Sequence, residues 1–407
     1  MKLKPKYIIL LLTLVGIQGV VAQKTMGSIH SFPKTLMLKG EVLEHTYQLI
    51  LANDPQKIKA LNNLVKKADK ILKEEKLYSV MNKKQFPPSG DKHDYMSTGP
   101  YWWPDPTKPD GLPYIRKDGL RNPTYYDISD TQELDKVEGD SETLALAYYF
   151  TKEEKYAKFA AKIIQTWFLD LETRQNPNLN FGQGIPGIND GRGIGIIETR
   201  GMFSVIDAAI LLQESNQWSK DNHVALKNWF SDYLKWLTTS PIGKDEADEH
   251  NNHGTHYSVQ VIDYALFTGQ SEIVASEIEI FKNRIESQIK VDGSQPFELG
   301  RTKSWDYVNM NLLGYFLVAQ LAENSNVNLW QFETKEGKSI KKCLDWMIPY
   351  INKEKDWSYE QIKNIGYGDT IYLLKIAAKK YSDSTYDSLA KDTDIKSYQS
   401  DLNQLTL

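Results

Sequence analysis

The densest group of reactive side chains lies in the stretch Glu249–Tyr257, which reads EHNNHGTHY. Apolar residues follow it at helical spacing, so a buried helix is expected to begin here. Asn251 or Asn252 would cap this helix, because an Asn side chain accepts a hydrogen bond from a free amide of the first turn. His253 would then lie in the first turn, where free amides and the helix dipole favour an anion. An ordinary capped loop explains the same residues, so any chemistry needs partners elsewhere in the chain.

A second polar segment, Asp292–Tyr307, lies roughly 50 residues downstream. Ser304 is suited to cap a helix, which would place Tyr307 in the first turn and Arg301 on the loop just before it. If both helices begin at the same rim of a helical ring, His253 and Tyr307 can converge there with Arg301.

Two long irregular segments should border such a site, since loops carry most binding residues. The segment 86–130 is rich in Pro, Gly and aromatic residues and contains Arg116 and Arg121. Its adjacent Tyr101, Trp102 and Trp103 cannot all point inward, so at least one is expected to face a groove. The alternative is a loop that plugs one end of the ring with its own small core.

The segment 178–193 has closely spaced glycines but is not a phosphate-binding loop, because no strand precedes it and no Lys-Ser or Lys-Thr follows. Its glycines more plausibly allow close approach of the backbone to a ligand. Arg192 and the nearby Arg200 are the charges of interest.

The elements that position these residues are helices. Apolar residues recur at helical spacing with short connections, and no run of period-two strands is evident. The pattern predicts an all-α fold: a single (α/α) toroid or incomplete barrel of about six to seven helical hairpins over residues 23–407. The predicted helices span 35–53, 56–74, 141–151, 154–169, 197–213, 221–238, 255–268, 272–289, 305–322, 338–350 and 367–380.

Residues 1–22 are predicted to be a signal peptide. Lys2, Lys4 and Lys6 precede an apolar run that is too short to span a bilayer, and a small-residue cleavage site ends at Ala22–Gln23. The mature protein is therefore expected to be exported to the periplasm or secreted, without a membrane anchor.

Net charge limits the possible partners, and cysteine content limits how the chain can be stabilised. Removing the three leader lysines takes the formal net charge from −4 to −7, which argues against nucleic acid as a partner. The only cysteine, Cys343, cannot form an intramolecular disulfide, so a large core must stabilise the chain. The protein is expected to be a monomer.

Taken together, several motifs resemble the alginate lyase superfamily of α/α-toroid polysaccharide lyases. They lie in the same order over most of positions 86–320, and jointly they are specific. The motifs are His93-Asp94-Tyr95-Met96, Tyr101-Trp102-Trp103-Pro104-Asp105-Pro106, Ile185-Pro186-Gly187-Ile188, Gly191-Arg192-Gly193-Ile194-Gly195, Asn251-Asn252-His253-Gly254 and Glu298-Leu299-Gly300-Arg301-Thr302-Lys303-Ser304.

The resemblance implies β-elimination of an anionic polysaccharide, without a required metal or other cofactor. It also implies a catalytic set, carried onto His253, Tyr307, Asn252 and Arg301. The residues predicted to bind substrate are His93, Tyr95, Tyr101, Trp102, Trp103, Asn189, Arg192, Arg200, Asn251 and Lys303.

Elimination from a uronate explains why these residue types would be needed. The C5 proton is weakly acidic because the adjacent carboxylate is already negative, so Asn252, Arg301 and first-turn amides must neutralise that carboxylate. Tyr307 could act as both base and acid when proton and leaving group share a face, as in mannuronate units. This requires a pKa lowered by about 2–3 units from about 10, to which Arg301 would contribute. For guluronate units, His253 is the better base and Tyr307 the acid.

Other interpretations remain open. A zinc site is disfavoured, because His250, His253 and His256 do not present three ligands on one helix face. An inverting glycoside hydrolase would use a carboxylate pair, with Asp190, Glu198 and Glu298 as candidates. A glycan-binding protein without catalysis would use the loop around Trp102. Alginate is the first substrate candidate and glucuronan a rival, and the sequence does not distinguish endo from exo action.

Overall fold

A computed structural model describes residues 32–407 of the chain, and the predicted signal peptide lies outside this range. Within it, six successive helix pairs form an α/α toroid, which confirms the predicted fold class. The pairs are α1 (Gly40–Leu51) and α2 (Pro55–Glu74), α3 (Asp130–Thr151) and α4 (Glu154–Ile164), α5 (Phe203–Leu211) and α6 (Lys220–Thr239), α8 (Asn252–Thr268) and α9 (Ser271–Gln288), α11 (Ser304–Ala322) and α12 (Ile340–Ile351), and α13 (Gly368–Lys380) and α14 (Ser384–Thr393).

The remaining helices are short: α7 (Pro241–Ala247), α10 (Pro296–Leu299), α15 (Ile395–Tyr398) and α16 (Asp401–Thr406). Among the described helices, none is long and apolar enough to cross a membrane.

An inner layer of helices runs through the core. α3 packs against α5, α5 against α8, α8 against α11, and α11 against α13. α8 is buried along nearly its whole length, including polar residues such as Thr255, Ser258 and Gln260. A helix that is buried all round belongs to the interior, and its polar groups must find partners there. Thr255 donates to Gln288 Oε1 at 2.9 Å and Ser258 to Glu277 Oε1 at 2.6 Å.

The start of α8 follows the predicted capping pattern. Asn251 takes the N-cap position and its Oδ1 accepts a hydrogen bond from the His253 amide at 2.9 Å, so His253 lies in the first turn. The start of α11 differs from the prediction. Lys303, and not Ser304, occupies the N-cap position, while Ser304 Oγ donates to the Glu360 carbonyl at 2.7 Å. Tyr307 nevertheless lies in the first turn.

One predicted helix boundary was wrong for a physical reason. α3 begins at Asp130 and not near residue 141, because its first turns carry buried polar residues that interrupt the apolar period. Asp130 is one of them, and it pairs with the buried Lys83 at 3.0 Å.

Strands are also present in the described range, although each has only two to four residues: β1 (Met96–Thr98), β2 (Trp102–Trp103), β3 (Ile115–Arg116) and β4 (Phe181–Gly184). β1 pairs in parallel with β4, with Met96 opposite Phe181, and β2 pairs antiparallel with β3, with Trp102 opposite Arg116. The first pair joins the two long irregular segments, so they are fixed relative to each other.

Asp207 on α5 holds the segment before α1 against the toroid. Its carboxylate accepts hydrogen bonds from the amides of Leu36, Met37 and Leu38, the shortest at 2.6 Å. This single buried side chain therefore replaces water for three consecutive backbone donors.

We expect Asp207→Ala to lower the free energy of unfolding by about 2–4 kcal/mol, because buried amides would lose their acceptor. Urea unfolding would measure the loss. Asp232→Ala, on the exposed face of α6, is the matched control and should change it by less than about 0.5 kcal/mol. Equal stability of the Asp207 variant and wild type would contradict this role.

Candidate active site

A cleft of about 510 Å³ opens where the first turns of α8 and α11 meet the two irregular segments. Asn252 and His253 line it from α8, and Tyr307 and Met310 line it from α11. Because α8 and α11 pack side by side, residues distant in sequence share one cavity. As predicted, His253, Arg301 and Tyr307 line the same cleft.

Two buried carboxylates hold the α8 side of the cleft. Glu298 on α10 accepts from the Asn252 backbone amide at 2.6 Å and from Asn252 Nδ2 at 2.8 Å. Burial raises the pKa of Glu298, and the Asn252 hydrogen bonds oppose this shift. Glu246 on α7 lies 2.8 Å from His253 Nδ1. The Asn252 amide and the His253 imidazole are thus fixed before any substrate arrives.

Arg301 is held between the loop and α11. It forms a bidentate pair with Asp118, with Nε–Oδ2 at 3.1 Å and the terminal nitrogen to Oδ1 at 2.8 Å. Its guanidinium carbon also lies 3.8 Å from the centroid of the Tyr307 ring. Although burial raises the pKa of Asp118, hydrogen bonds and charge from Arg301 and charge from Arg116 hold it well below its ordinary value. Asp118 stays ionised and keeps Arg301 on the Tyr307 ring.

Tyr307 is mostly buried, and its hydroxyl donates to the Tyr101 hydroxyl at 3.0 Å. The Lys303 ammonium lies 3.4 Å from the same Tyr101 oxygen. Burial raises the pKa of Tyr307 above its ordinary value of 10.0, and the Arg301 charge offsets only part of this. In the unliganded cleft the pKa of Tyr307 is therefore not lowered, because desolvation outweighs the cation.

The cleft is strongly basic. Five guanidinium groups line it, against the carboxylates of Glu198 and Glu249; the arginines are Arg116, Arg121, Arg192, Arg200 and Arg301. Arg192 is fixed by donating to the Gln183 carbonyl at 3.1 Å and to its Oε1 at 2.9 Å. Burial lowers the pKa of Arg192, and Arg116 lowers it further, as expected where like charges crowd. Such a site favours an anionic ligand, although the whole chain is acidic.

The predicted substrate-binding residues divide into two groups. Tyr101, Trp102, Arg192, Arg200 and Asn251 line the cleft, with Lys303 beside Tyr101.

The other four predicted residues lie elsewhere in the described part of the chain and do not line the cleft. Tyr95 is a correction: its side chain is 0% exposed, and its hydroxyl donates to Glu198 Oε2 at 2.9 Å. His93 Nδ1 contacts the Arg174 carbonyl at 2.7 Å, Trp103 donates to the Leu120 carbonyl at 2.9 Å, and Asn189 Oδ1 accepts from the Ile185 amide at 3.2 Å. Their motifs shape the loops and not the cavity wall.

The carboxylates considered for hydrolysis are not arranged as an acid–base pair on this cleft. Glu198 lines it, but its Oε2 accepts from Tyr95 and from Ser97 Oγ at 2.6 Å. Glu298 is committed to Asn252, and Asp190 is exposed. Within residues 32–407, no group of three or more His, Cys, Asp or Glu side chains is arranged to hold a metal ion.

Sequence reasoning missed two residues that hold the site. Asp118 lies in the irregular segment 86–130 with no local pattern to single it out. Glu246 lies in the acidic run Asp245–Glu249, whose composition is typical of a solvated loop, yet it is only 1% exposed. Its position seven residues before His253, on the short helix α7, is the one signal that could have indicated a contact.

A family model described as alginate lyase matches residues 79–357, a span that contains every residue placed around the cleft. The chain belongs to the alginate lyase family. It is therefore a polysaccharide lyase, and the cleft is its candidate active site.

Solved structures of this family superpose on the chain. An alginate lyase from Bacteroides ovatus is 37% identical, with 92% of this chain and 100% of that chain covered and a TM-score of 0.88. Alginate lyase A1-III from Sphingomonas species A1 is 17% identical, with 77% and 86% covered and a TM-score of 0.50. A tetrasaccharide complex of A1-III is 15% identical, with 86% and 89% covered and a TM-score of 0.54. The last two likenesses show a shared fold alone. No curated protein matches the chain.

Replacing Asp118 tests whether the position of Arg301 matters for turnover. In Asp118→Ala, Arg301 loses its bidentate partner, and we expect kcat/KM for lyase activity to fall about tenfold, equivalent to about 1.4 kcal/mol. Asp127→Ala, an exposed carboxylate in the same segment, should retain wild-type activity. Unchanged activity in the Asp118 variant would show that Arg301 needs no such support.

Proposed function

We propose that this lyase cleaves a β-1,4-linked uronate polymer by β-elimination, with alginate as the first candidate substrate and glucuronan as the second. The observation that carries the proposal is that His253 and Tyr307 face one cleft lined by five guanidinium groups. A polyanion fits this charge. The 37% identical protein from Bacteroides ovatus is an alginate lyase, which supports alginate as the substrate.

The first requirement is to stabilise the charge that develops when C5 loses its proton. As the C5–H bond breaks, negative charge spreads into the uronate carboxylate, and donors already in place lower the barrier without reorganising. In our proposal Arg301 neutralises this carboxylate, assisted by Asn252. Glu298 accepts a hydrogen bond from the side-chain amide of Asn252, and this fixes the orientation of that amide.

The second requirement is a base for C5 and an acid for O4. The C5–H and C4–O4 bonds break, a double bond forms between C4 and C5, and the leaving O4 takes up a proton. Because burial raises the pKa of Tyr307, its phenol is protonated in the empty cleft at neutral pH, which suits donation to O4. His253 then serves as base when the proton and O4 lie on opposite faces of the ring.

When the proton and O4 share a face, as in mannuronate units, Tyr307 acts as both base and acid. The base role requires loss of the phenolic proton after substrate has bound. Arg301, 3.8 Å from the ring centroid, supplies positive charge that favours the phenolate. The Tyr101 hydroxyl accepts a hydrogen bond from the Tyr307 hydroxyl at 3.0 Å.

We further propose that the mature protein is exported. Support comes from the sequence of residues 1–22 alone, with its basic start, short apolar run and small-residue cleavage site.

The function is tested by an ultraviolet absorbance screen for unsaturated uronate ends across polymannuronate, polyguluronate, glucuronan and pectate. Wild-type protein without added metal should release such ends from alginate blocks or glucuronan. Tyr307→Phe and His253→Ala should both remain folded. Tyr307→Phe should lose at least about 100-fold in kcat on every cleaved substrate, and His253→Ala the same on polyguluronate, the scale expected for general acid–base groups.

The matched control is His250→Ala, an exposed histidine three residues before His253, which should keep wild-type turnover. Near-normal turnover in Tyr307→Phe on every substrate would contradict the role given to that tyrosine.

A further inference from the structure

The acid and base roles proposed for Tyr307 and His253 do not explain the buried contact between Glu246 and His253. Glu246 lies in the last turn of the short helix α7, and its side chain is fully enclosed. Its Oε1 lies 2.8 Å from His253 Nδ1, while Oε2 has no hydrogen-bond partner among residues 32–407. The imidazole, by contrast, lines the cleft. Glu246 therefore reaches the histidine from the protein interior and not from the substrate side.

This contact decides which ring nitrogen can act as a base. An ionised carboxylate can only accept, so Nδ1 must carry the hydrogen and Nε2 keeps a free lone pair. If Glu246 is protonated, it can donate to Nδ1, and Nε2 then carries the hydrogen and cannot take a proton. The state of one buried carboxyl group thus sets the state of the histidine, as a carboxylate does behind many functional histidines.

The surrounding structure fixes Glu246 in place. Arg284 on α9 donates to the carbonyls of Ala247 at 2.7 Å and Glu249 at 3.0 Å, immediately after Glu246. On the other side, the Gly193 amide donates to Asp245 Oδ2 at 3.1 Å. Gly254 allows this packing, because a Cβ there would lie only 2.1 Å from the Glu249 carbonyl oxygen. The glycine after His253 is therefore required by the close approach of the Glu246 segment.

We propose that Glu246 is a positioning residue that holds His253 with Nε2 as the free base, and that elimination from guluronate-type units depends on it. This inference rests on the proposed function, since it assigns a partner to the proposed base. Mannuronate-type units should depend on it much less, because Tyr307 takes both roles there.

The neighbouring charges define the expected pH behaviour. Burial raises the pKa of Glu246, the charge and hydrogen bond of His253 lower it, and Glu249 and Asp245 raise it further. Other titratable and charged groups around the pair come from four helices and one loop: Tyr233, His256, Tyr257, Arg284, Glu298 and the loop residue Arg192. Protonation of Glu246 as the pH falls would let it donate to His253 Nδ1, so Nε2 would carry the hydrogen and the base would be lost. A variant that cannot take up this proton should keep the base to lower pH.

Glu246→Gln tests the proposal, because the amide keeps the shape but loses the charge and no longer dictates the tautomer. On polyguluronate we expect kcat to fall about 10–100-fold, the usual cost of removing a supporting partner of a functional histidine. On polymannuronate it should fall less than about threefold. The acidic limb of the polyguluronate profile should move to lower pH, because the amide does not take up the proton that Glu246 would. Asp248→Asn, an exposed carboxylate two residues away, should leave rates and profile unchanged.

A second readout does not require activity. In the imidazole NMR spectrum of the full mature chain, His253 should show a hydrogen on Nδ1 at neutral pH, and Glu246→Gln should weaken or abolish that signal. Equal losses on both substrate classes with an unmoved acidic limb would overturn the proposal, as would an Nε2-protonated His253 in wild type. If wild type releases no unsaturated ends from any uronate, the proposed function fails, while the NMR result still decides the Glu246–His253 pairing.

Discussion

The packing of α8 against α11 is the constraint on which the rest of the site depends. These helices are adjacent in space but separated in the chain by α9 and α10. Both are buried along their length, and both begin at the cleft. Their contact therefore fixes the position of His253 relative to Tyr307 far more strictly than any loop could. A rigid interior supports a reaction in which a small displacement of base or acid costs much of the rate.

Burial shifts the pKa values of the titratable groups in the site. Glu246, Glu298 and Tyr307 all lie where desolvation disfavours the ionised form, so the pKa of each is raised. Each is then tied to one specific partner: His253, Asn252 and Tyr101 respectively. Asp118 differs, because its two arginine neighbours outweigh its partial burial. The acidic chain as a whole thus holds a basic cleft in which each reactive group has one defined neighbour.

Much of the fold could be predicted because long amphipathic helices repeat their apolar period strongly, as α2 does. Prediction failed where burial and polarity coincide. The start of α3 carries the buried Asp130, and strands of two to four residues leave no period to detect. The central site residues could be predicted from polar helix starts together with a family resemblance. Asp118 and Glu246 could not, since each acts through a contact between segments that only the folded chain brings together.

Burial and hydrogen bonding explain why some motif residues do not line the cleft. Tyr95 and Trp103 belong to motifs typical of the family, yet Tyr95 binds Glu198 inside the core and Trp103 donates to a loop carbonyl. Motifs of this kind specify the loop conformation that presents Tyr101 and Trp102. Residue type and family pattern therefore locate the cleft, whereas burial and hydrogen bonding decide which side chains face it.

A crystal structure of the Tyr307→Phe variant with a bound uronate tetrasaccharide is the most direct test of the proposed site. One sugar carboxylate should lie within hydrogen-bond distance of Arg301 and Asn252. The C5 atom of that sugar should lie between His253 Nε2 and the ring at position 307. A tetrasaccharide bound away from this cleft, or one whose carboxylate faces away from Arg301, would contradict it.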